Sequence, residues 1–322
     1  MKLRSAVTSN DPIAEEAAQD FMMSGGSAVG AVLSGYFAAA GAYASVLLSP
    51  VSILVGGIGA GARAFDGRLR QPGRGTKRPR GFKATDPIPD AARVSVPTGV
   101  AAVLVAHAYD SGQKLGSIMK AGITRAERVG AEGRAGLLRR VRAAGAGAMT
   151  EPSFVRSFLH VAGPSQGGLI TPSDFGPVPD IDQPAAERSI DGAGLLEPAW
   201  ASESVAEADG LGIGCAVCAV DVRGVFAALT YRRSTDGLPL EELDLEAPLL
   251  AVPVKRGVAR VTPGAPLPTP APIALLKDAS GALLEVCAAP AALRFEPGGT
   301  ASPLLRVRRN AATGEVDVTV TR

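Results

Sequence analysis

Between Asp20 and Arg63 the chain carries no charged side chain. A helix with no place for a charge lies either in a bilayer or in the middle of a protein core. Here the stretch is interrupted by Gly25-Gly26, Pro50, several serines and the cluster Gly56, Gly57, Gly59 and Gly61, and Ala and Gly contribute little transfer energy. It therefore divides into an Ala-rich helix near Ser27 to Leu48, buried at the centre of a globular core, and a Gly-rich strand after it. No membrane partner is expected. The glycine cluster is not followed by Lys-Ser/Thr, so close backbone packing explains it better than a phosphate cradle.

The core has to be built from small side chains. Apolar residues make up 46% of the 322 positions but aromatic residues only 4%, with 39 Gly and 25 Pro. The length suits one large domain or two modest ones, and a formal charge of +2 excludes a disordered polyelectrolyte. So few rings make base-stacking platforms implausible, and no nucleic-acid partner is expected.

Cys215, Cys218 and Cys287 are the only cysteines. An odd, sparse count excludes a disulfide scaffold and suits a reducing, cytoplasmic setting. The C-x-x-C of Cys215 and Cys218 lies in Gly-Cys-Ala-Val-Cys-Ala-Val-Asp, which reads as a buried strand with the thiols as small hydrophobes. Only Cys287, His107 and His160 remain as soft or imidazole donors, too few for a zinc site. No metal or cofactor is expected.

Charge is unevenly spread. From Arg63 to Lys83 eight cations face one Asp66, a local net of +7; from Asp174 to Asp209 nine acids face one Arg188, a local net of −8. Both stretches are rich in turn residues and read as solvated loops, or as surfaces that face each other. Val94 to Leu115 reads as a strand entering a helix, and Ile118 to Ala144 as helical. Beyond Asp209 the pattern becomes strand-like. Ile213 to Val222 and Val225 to Tyr231 form a hairpin, Pro272 to Leu276 and Ala282 to Ala288 a second, Leu304 to Arg308 and Glu315 to Thr321 a third. Helices first and antiparallel strands later indicate an α+β layered fold, with residues 1–210 and 211–322 as two regions of one structural domain.

Six segments then resemble, in order, the gamma-glutamyltransferase (gamma-glutamyltranspeptidase, glutathione hydrolase) family. Ala6-Val-Thr-Ser-Asn-Asp-Pro-Ile-Ala14 is similar to "ASSDPLA", Gly25-Gly-Ser-Ala-Val-Gly-Ala31 to "GGNAVDAA", Val96-Pro-Thr-Gly-Val-Ala101 to "VPGTVAG" and Gly167-Gly-Leu-Ile-Thr-Pro-Ser-Asp174 to "GGLITLEDL". In the second region, residues 220–231 resemble "VVDKDGNAVAVTY", and Pro266 to Asp278 resemble "PLSSMSPTIVVKD". The resemblance implies an amino-terminal-nucleophile hydrolase fold, a four-layer αββα sandwich, here truncated between Arg142 and Ser165 and after Pro290. It implies a precursor that cuts itself to expose a threonine, which its own α-amine activates.

Residue by residue, the resemblance puts the nucleophile at Gly214, which has no side chain, with the Cys215 thiol one position later. The family's serine pair becomes Pro268 and Thr269, and its oxyanion glycines become Ala291 and Ala292. Phe65-Asp66-Gly67-Arg68 is similar to "DGRExAP", whose arginine grips a substrate α-carboxylate, so Arg68 would bind a gamma-glutamyl or glutamate-like molecule. Two functions follow. One is a catalytically degenerate homologue, a binding or structural subunit of a homo- or hetero-oligomer. The other is an active gamma-glutamyl hydrolase or transferase with Cys215 as its amino-terminal nucleophile after self-cleavage.

Overall fold

The computed structural model describes residues 4–59, 61–77, 79, 81–110, 112–190, 193–203, 212–299 and 302–321. The chain begins with β1 (Ala6–Ser9), α1 (Pro12–Met23), α2 (Ala28–Ala42), β2 (Val51–Gly56) and β3 (Arg63–Gly67). Four helices follow: α3 (Gly99–Asp110), α4 (Leu115–Arg128), α5 (Glu132–Ala144) and α6 (Pro152–Ala162). Next come β4 (Asp182–Pro184), β5 (Ala186–Ile190), β6 (Ala193–Glu197), β7 (Ile213–Val220), β8 (Phe226–Arg233), β9 (Leu238–Leu240) and β10 (Leu245–Ala247). The last four strands are β11 (Ile273–Lys277), β12 (Leu283–Ala288), β13 (Leu304–Arg309) and β14 (Val316–Thr321).

Two antiparallel six-stranded sheets stack face to face, with strand orders β1-β7-β8-β2-β3-β4 and β14-β13-β12-β11-β6-β5. All three expected hairpins form, as β7/β8, β11/β12 and β13/β14. Strands from both ends of the chain share the first sheet, since β1 pairs with β7 and β2 with β8. The two sequence regions are thus interleaved in one structure.

The uncharged stretch becomes the helix expected of it. Ser27 caps α2 by accepting from the Gly30 N–H (3.0 Å), and every residue from Ala28 to Gly41 is buried. The helix stops at Ala42, short of Leu48, and residues 43–49 turn before β2. It packs on β7 and β8 on one side and against α1 and α4 on others. That crowding depends on missing side chains: a Cβ on Gly41 would lie 2.0 Å from the Gly122 carbonyl oxygen, and one on Gly122 would lie 2.2 Å from that of Phe37. The two helix backbones touch directly.

Two expectations are corrected. Val96 makes only an isolated bridge to Arg70 before α3, not a strand. Residues 118–144 are not one helical run, because the chain breaks between α4 and α5 at Val129 to Ala131, where Gly130 favours a turn.

One core fills the space between the helices and the first sheet, and a second, with Leu54, Cys218, Phe226, Ile273, Val286 and Val307, fills the space between the sheets. The outer face of the second sheet carries no packed helix among the described residues, so one helical layer and two sheets are seen there in place of the expected four layers. That face is covered locally by Phe295 over Leu195, Ala274 and Cys287. Elsewhere it carries paired charges, with Glu197 held by Arg294 and Arg188, and Glu285 accepting from the Cys287 thiol (3.0 Å) near Arg306 (3.6 Å). Charge ladders of this kind let a sheet face meet water without a helical cover. No helix among the described residues is long and apolar enough to cross a membrane.

Adding one methyl group at the α2–α4 crossing has nowhere to go. Gly122→Ala should cost about 3 kcal/mol or more of stability, whereas Gly136→Ala, whose new Cβ meets only the tip of Arg140 at 3.8 Å, should be neutral or stabilising; urea unfolding of the two variants checks both.

Candidate functional site

The end of β7 is held by the first polar cluster of the chain. Asn10 donates from Nδ2 to the Gly214 carbonyl (2.9 Å) and accepts from the Ala216 N–H (2.8 Å), while the Ser9 hydroxyl donates to the Ala216 carbonyl (2.6 Å). Asp11 caps α1 at the Ile13 N–H and accepts from the buried Tyr231 hydroxyl (2.8 Å). These residues were singled out only as part of a resembling segment, and their role is to pin β1, α1 and β8 around the Gly214–Cys215 peptide. That peptide sits inside a continuous strand, Gly214 opposite Arg232 and Cys215 opposite Tyr231.

Strand alternation sends the two neighbours to opposite sides. Gly214 faces the second sheet, where the chain leaving β12 crosses it: a Cβ at Gly214 would stand 1.8 Å from the Pro290 carbonyl oxygen. The cavity bordered by Ser52, Gly214, Cys215, Thr230, Pro270 and Pro290 measures about 10 Å³, the room of about one water molecule. Cys215 points the other way, into the core beneath the helices, and is 2% exposed. Burial, reinforced by the Asp11 charge, pushes its thiol up to about 12.

Arg68 lies at the end of β3 and is 4% exposed. Asp66 takes it bidentately, through Nε (3.1 Å) and Nη2 (3.0 Å), and Glu203 accepts from Nη1 (2.6 Å). The guanidinium stacks over the Trp200 ring at 5.0 Å, and the Trp200 indole N–H donates to the Ser52 hydroxyl (3.2 Å). Trp200 thereby links the Arg68 cluster to the wall of the small cavity, yet Arg68 itself does not line it. Glu203 and Trp200 gave no signal in the sequence, because both come from the acidic segment, far from Arg68 along the chain.

The other residues from the resemblance are dispersed. Thr269 is 3% exposed, and its hydroxyl has no hydrogen-bond partner among the described residues. Ala291 is exposed, and the Ala292 N–H donates to the Ala289 carbonyl (2.7 Å) inside a tight turn, so it is not presented to a ligand. Gly214 and Cys215 share one small cavity with Pro270, which follows Thr269, and Pro290, which precedes Ala291, and the approach of the Pro290 carbonyl to Gly214 leaves little room there. Among the described residues no group of His, Cys, Asp and Glu is placed to hold a metal ion.

No family model and no curated protein matches the sequence. Solved structures do. Two structures of the protein LmbA2991 superpose with TM-scores of 0.73 and 0.72 at 12% identity, covering 98% of this chain and 96% of theirs. Cephalosporin acylase from Bacillus halodurans superposes with a TM-score of 0.60, also at 12% identity, over 89% of this chain and 77% of that one. The fold is that of an amino-terminal-nucleophile hydrolase. At these identities the likeness is one of architecture, and the chain shares with such proteins two stacked antiparallel sheets and a helical layer.

The Arg68 cluster separates two kinds of ion pair. Removing Arg68 as Arg68→Met leaves Asp66, 1% exposed, without its bidentate partner and should cost about 3 kcal/mol or more, whereas Glu203→Gln, at a side chain 45% exposed, should change stability by less than about 1 kcal/mol. Gly214→Ala should cost about 3 kcal/mol. Denaturant unfolding measures all three.

Proposed function

We propose that this chain is a non-catalytic protein with an amino-terminal-nucleophile hydrolase fold, derived from a gamma-glutamyltransferase-like ancestor and acting as a binding or structural subunit. The observation that carries the proposal is the contact between Gly214 and Pro290. In the resembling family the residue at the Gly214 position is the nucleophile; here the volume its side chain needs is filled by a backbone carbonyl oxygen. The position is not merely substituted but sterically closed.

Supporting observations lie on both sides of that contact. Arg68, the residue aligned with a carboxylate clamp, already engages two protein carboxylates. A glutamate-like ligand would have to displace Glu203, the more exposed of the two, so any such binding is weak and competes with an intramolecular partner. The Ala292 amide, aligned with an oxyanion donor, is satisfied within its own turn. Each departure removes a different part of the family's machinery.

Cys215 as an alternative nucleophile requires a thiolate at a surface. Its thiol is buried, and burial together with the Asp11 charge pushes it up to about 12, so the neutral form dominates at pH 8. The sign is the usual one for desolvation: the neutral thiol is favoured, and alkali restores the thiolate only where the fold itself is under strain.

Intact mass under denaturing conditions, after prolonged incubation at neutral pH, should give one species at 32.6 kDa. A chromogenic gamma-glutamyl anilide should not be turned over. In the same samples a disulfide exchange reagent at pH 8 should leave Cys215 unmodified until denaturant is added. Two fragments meeting between Gly214 and Cys215 would overturn the proposal in favour of the cysteine enzyme.

A further inference from the structure

The basic run noted in the sequence is joined in space by a second one. Phe82 donates its N–H to the Val254 carbonyl (2.8 Å) and accepts from the Arg256 N–H (2.9 Å), which lays residues 81–83 beside residues 254–256. The Arg256 Nε donates to the Gly81 carbonyl (3.1 Å), and Arg260 Nη1 to the Thr76 carbonyl (3.3 Å). Six cations result on one lobe: Arg74, Lys77, Lys83, Lys255, Arg256 and Arg260. None of them pairs with a carboxylate among the described residues. The only acid in the two loops is Asp86, whose carboxylate caps the Lys83 N–H.

Like charges so placed repel one another, and a fold keeps them at lowest cost where a counter-charge arrives from outside. The shape of the lobe narrows what that is. Residues 255–260 are all exposed and form a projecting turn, closed by the Val258 N–H to the Lys255 carbonyl (3.3 Å). Val258 is 62% exposed and Val252 45% exposed, so apolar side chains stand between the cations. A nucleic-acid surface would be expected to offer stacking rings or an element that enters a groove, and the one aromatic residue here, Phe82, is 3% exposed. A protein interface would be expected to have an apolar centre, with lysine depleted. Cations around a protruding apolar turn suit the headgroup region of an anionic bilayer, where the charges reach phosphates and the valine enters the acyl boundary.

We propose that the lobe carrying Arg74, Lys77, Lys83, Lys255, Arg256 and Arg260 docks this protein peripherally on anionic phospholipid surfaces. The proposal departs from the expectation of no membrane partner, and it needs no membrane span. The proposal is independent of the state of the Gly214 region.

The test is sedimentation of the full chain with sucrose-loaded vesicles of phosphatidylcholine alone and of phosphatidylcholine with 30% phosphatidylglycerol. Binding should require phosphatidylglycerol and fall steeply between 50 and 500 mM NaCl. The triple variant Lys255→Ser, Arg256→Ser, Arg260→Ser should bind roughly a hundredfold more weakly, at about fivefold per cation. Val258→Asp should weaken binding as well, and it tests the apolar contact even if the triple variant fails to fold. Equal binding to both vesicle types, or none, overturns the proposal. So does binding to duplex DNA as tight as to the anionic vesicles, which would identify the lobe as a general polyanion site.

Discussion

A helix buried on every side has no solvent face on which to relieve a misfit, and α2 is such a helix. It packs on β7 and β8 below and against α1 and α4 around it, and backbone touches backbone where Gly41 meets Gly122. The rest of the architecture depends on its position. Asp221, at the turn of the β7/β8 hairpin, accepts from the Ala28 N–H at the start of α2 (3.2 Å) as well as from the Arg223 and Val225 amides. One carboxylate thereby ties the helix end to the hairpin. With β7 held in this way and in register with β1 by Asn10 and Ser9, Gly214 comes to lie under Pro290.

Buried carboxylates organise both backbone amides and arginines at several points of the fold. Asp174, reached through the segment Gly-Gly-Leu-Ile-Thr-Pro-Ser-Asp, caps its own short turn with Thr171 and accepts from the Gly73 and Arg74 amides. Asp66 gathers Arg68 and Arg70 from the strand end that follows it. Arg63 pairs with Asp182 at 2.8 Å. The basic and acidic stretches do face each other, but only in part: the cations nearest β3 are neutralised internally, Arg74 is held against the acidic stretch by Asp174 and the Pro177 carbonyl, and Lys77 and Lys83 are exposed beside a second basic loop.

Much of the fold was legible because it is local. The three late hairpins are each made by neighbouring runs with turn residues between them, so alternation and turn chemistry suffice to find them. The buried helix was legible from the absence of charge. The break between α4 and α5 was not, since an amphipathic charge pattern continues across it and only Gly130 marks the turn. The strand expected at Val94 was lost because its partner, Arg70, comes from an irregular segment that offers a single bridge and no ladder. As for the site, the absence of a nucleophile at the Gly214 position was visible in the residues, whereas the filling of its space was not.

By itself the sequence determined the class of core, small-residue and uncharged at its centre, and the local strand pairs, because these follow from periodicity and side-chain volume. Only the tertiary structure decided which of the arginines are neutralised, that Glu203 reaches Arg68, that the Cys215 thiol is buried and that the Pro290 carbonyl crosses Gly214. Those outcomes are set by contacts between residues far apart in the chain, whose meeting depends on the stacking of two sheets, and no local pattern encodes the distance between two sheets.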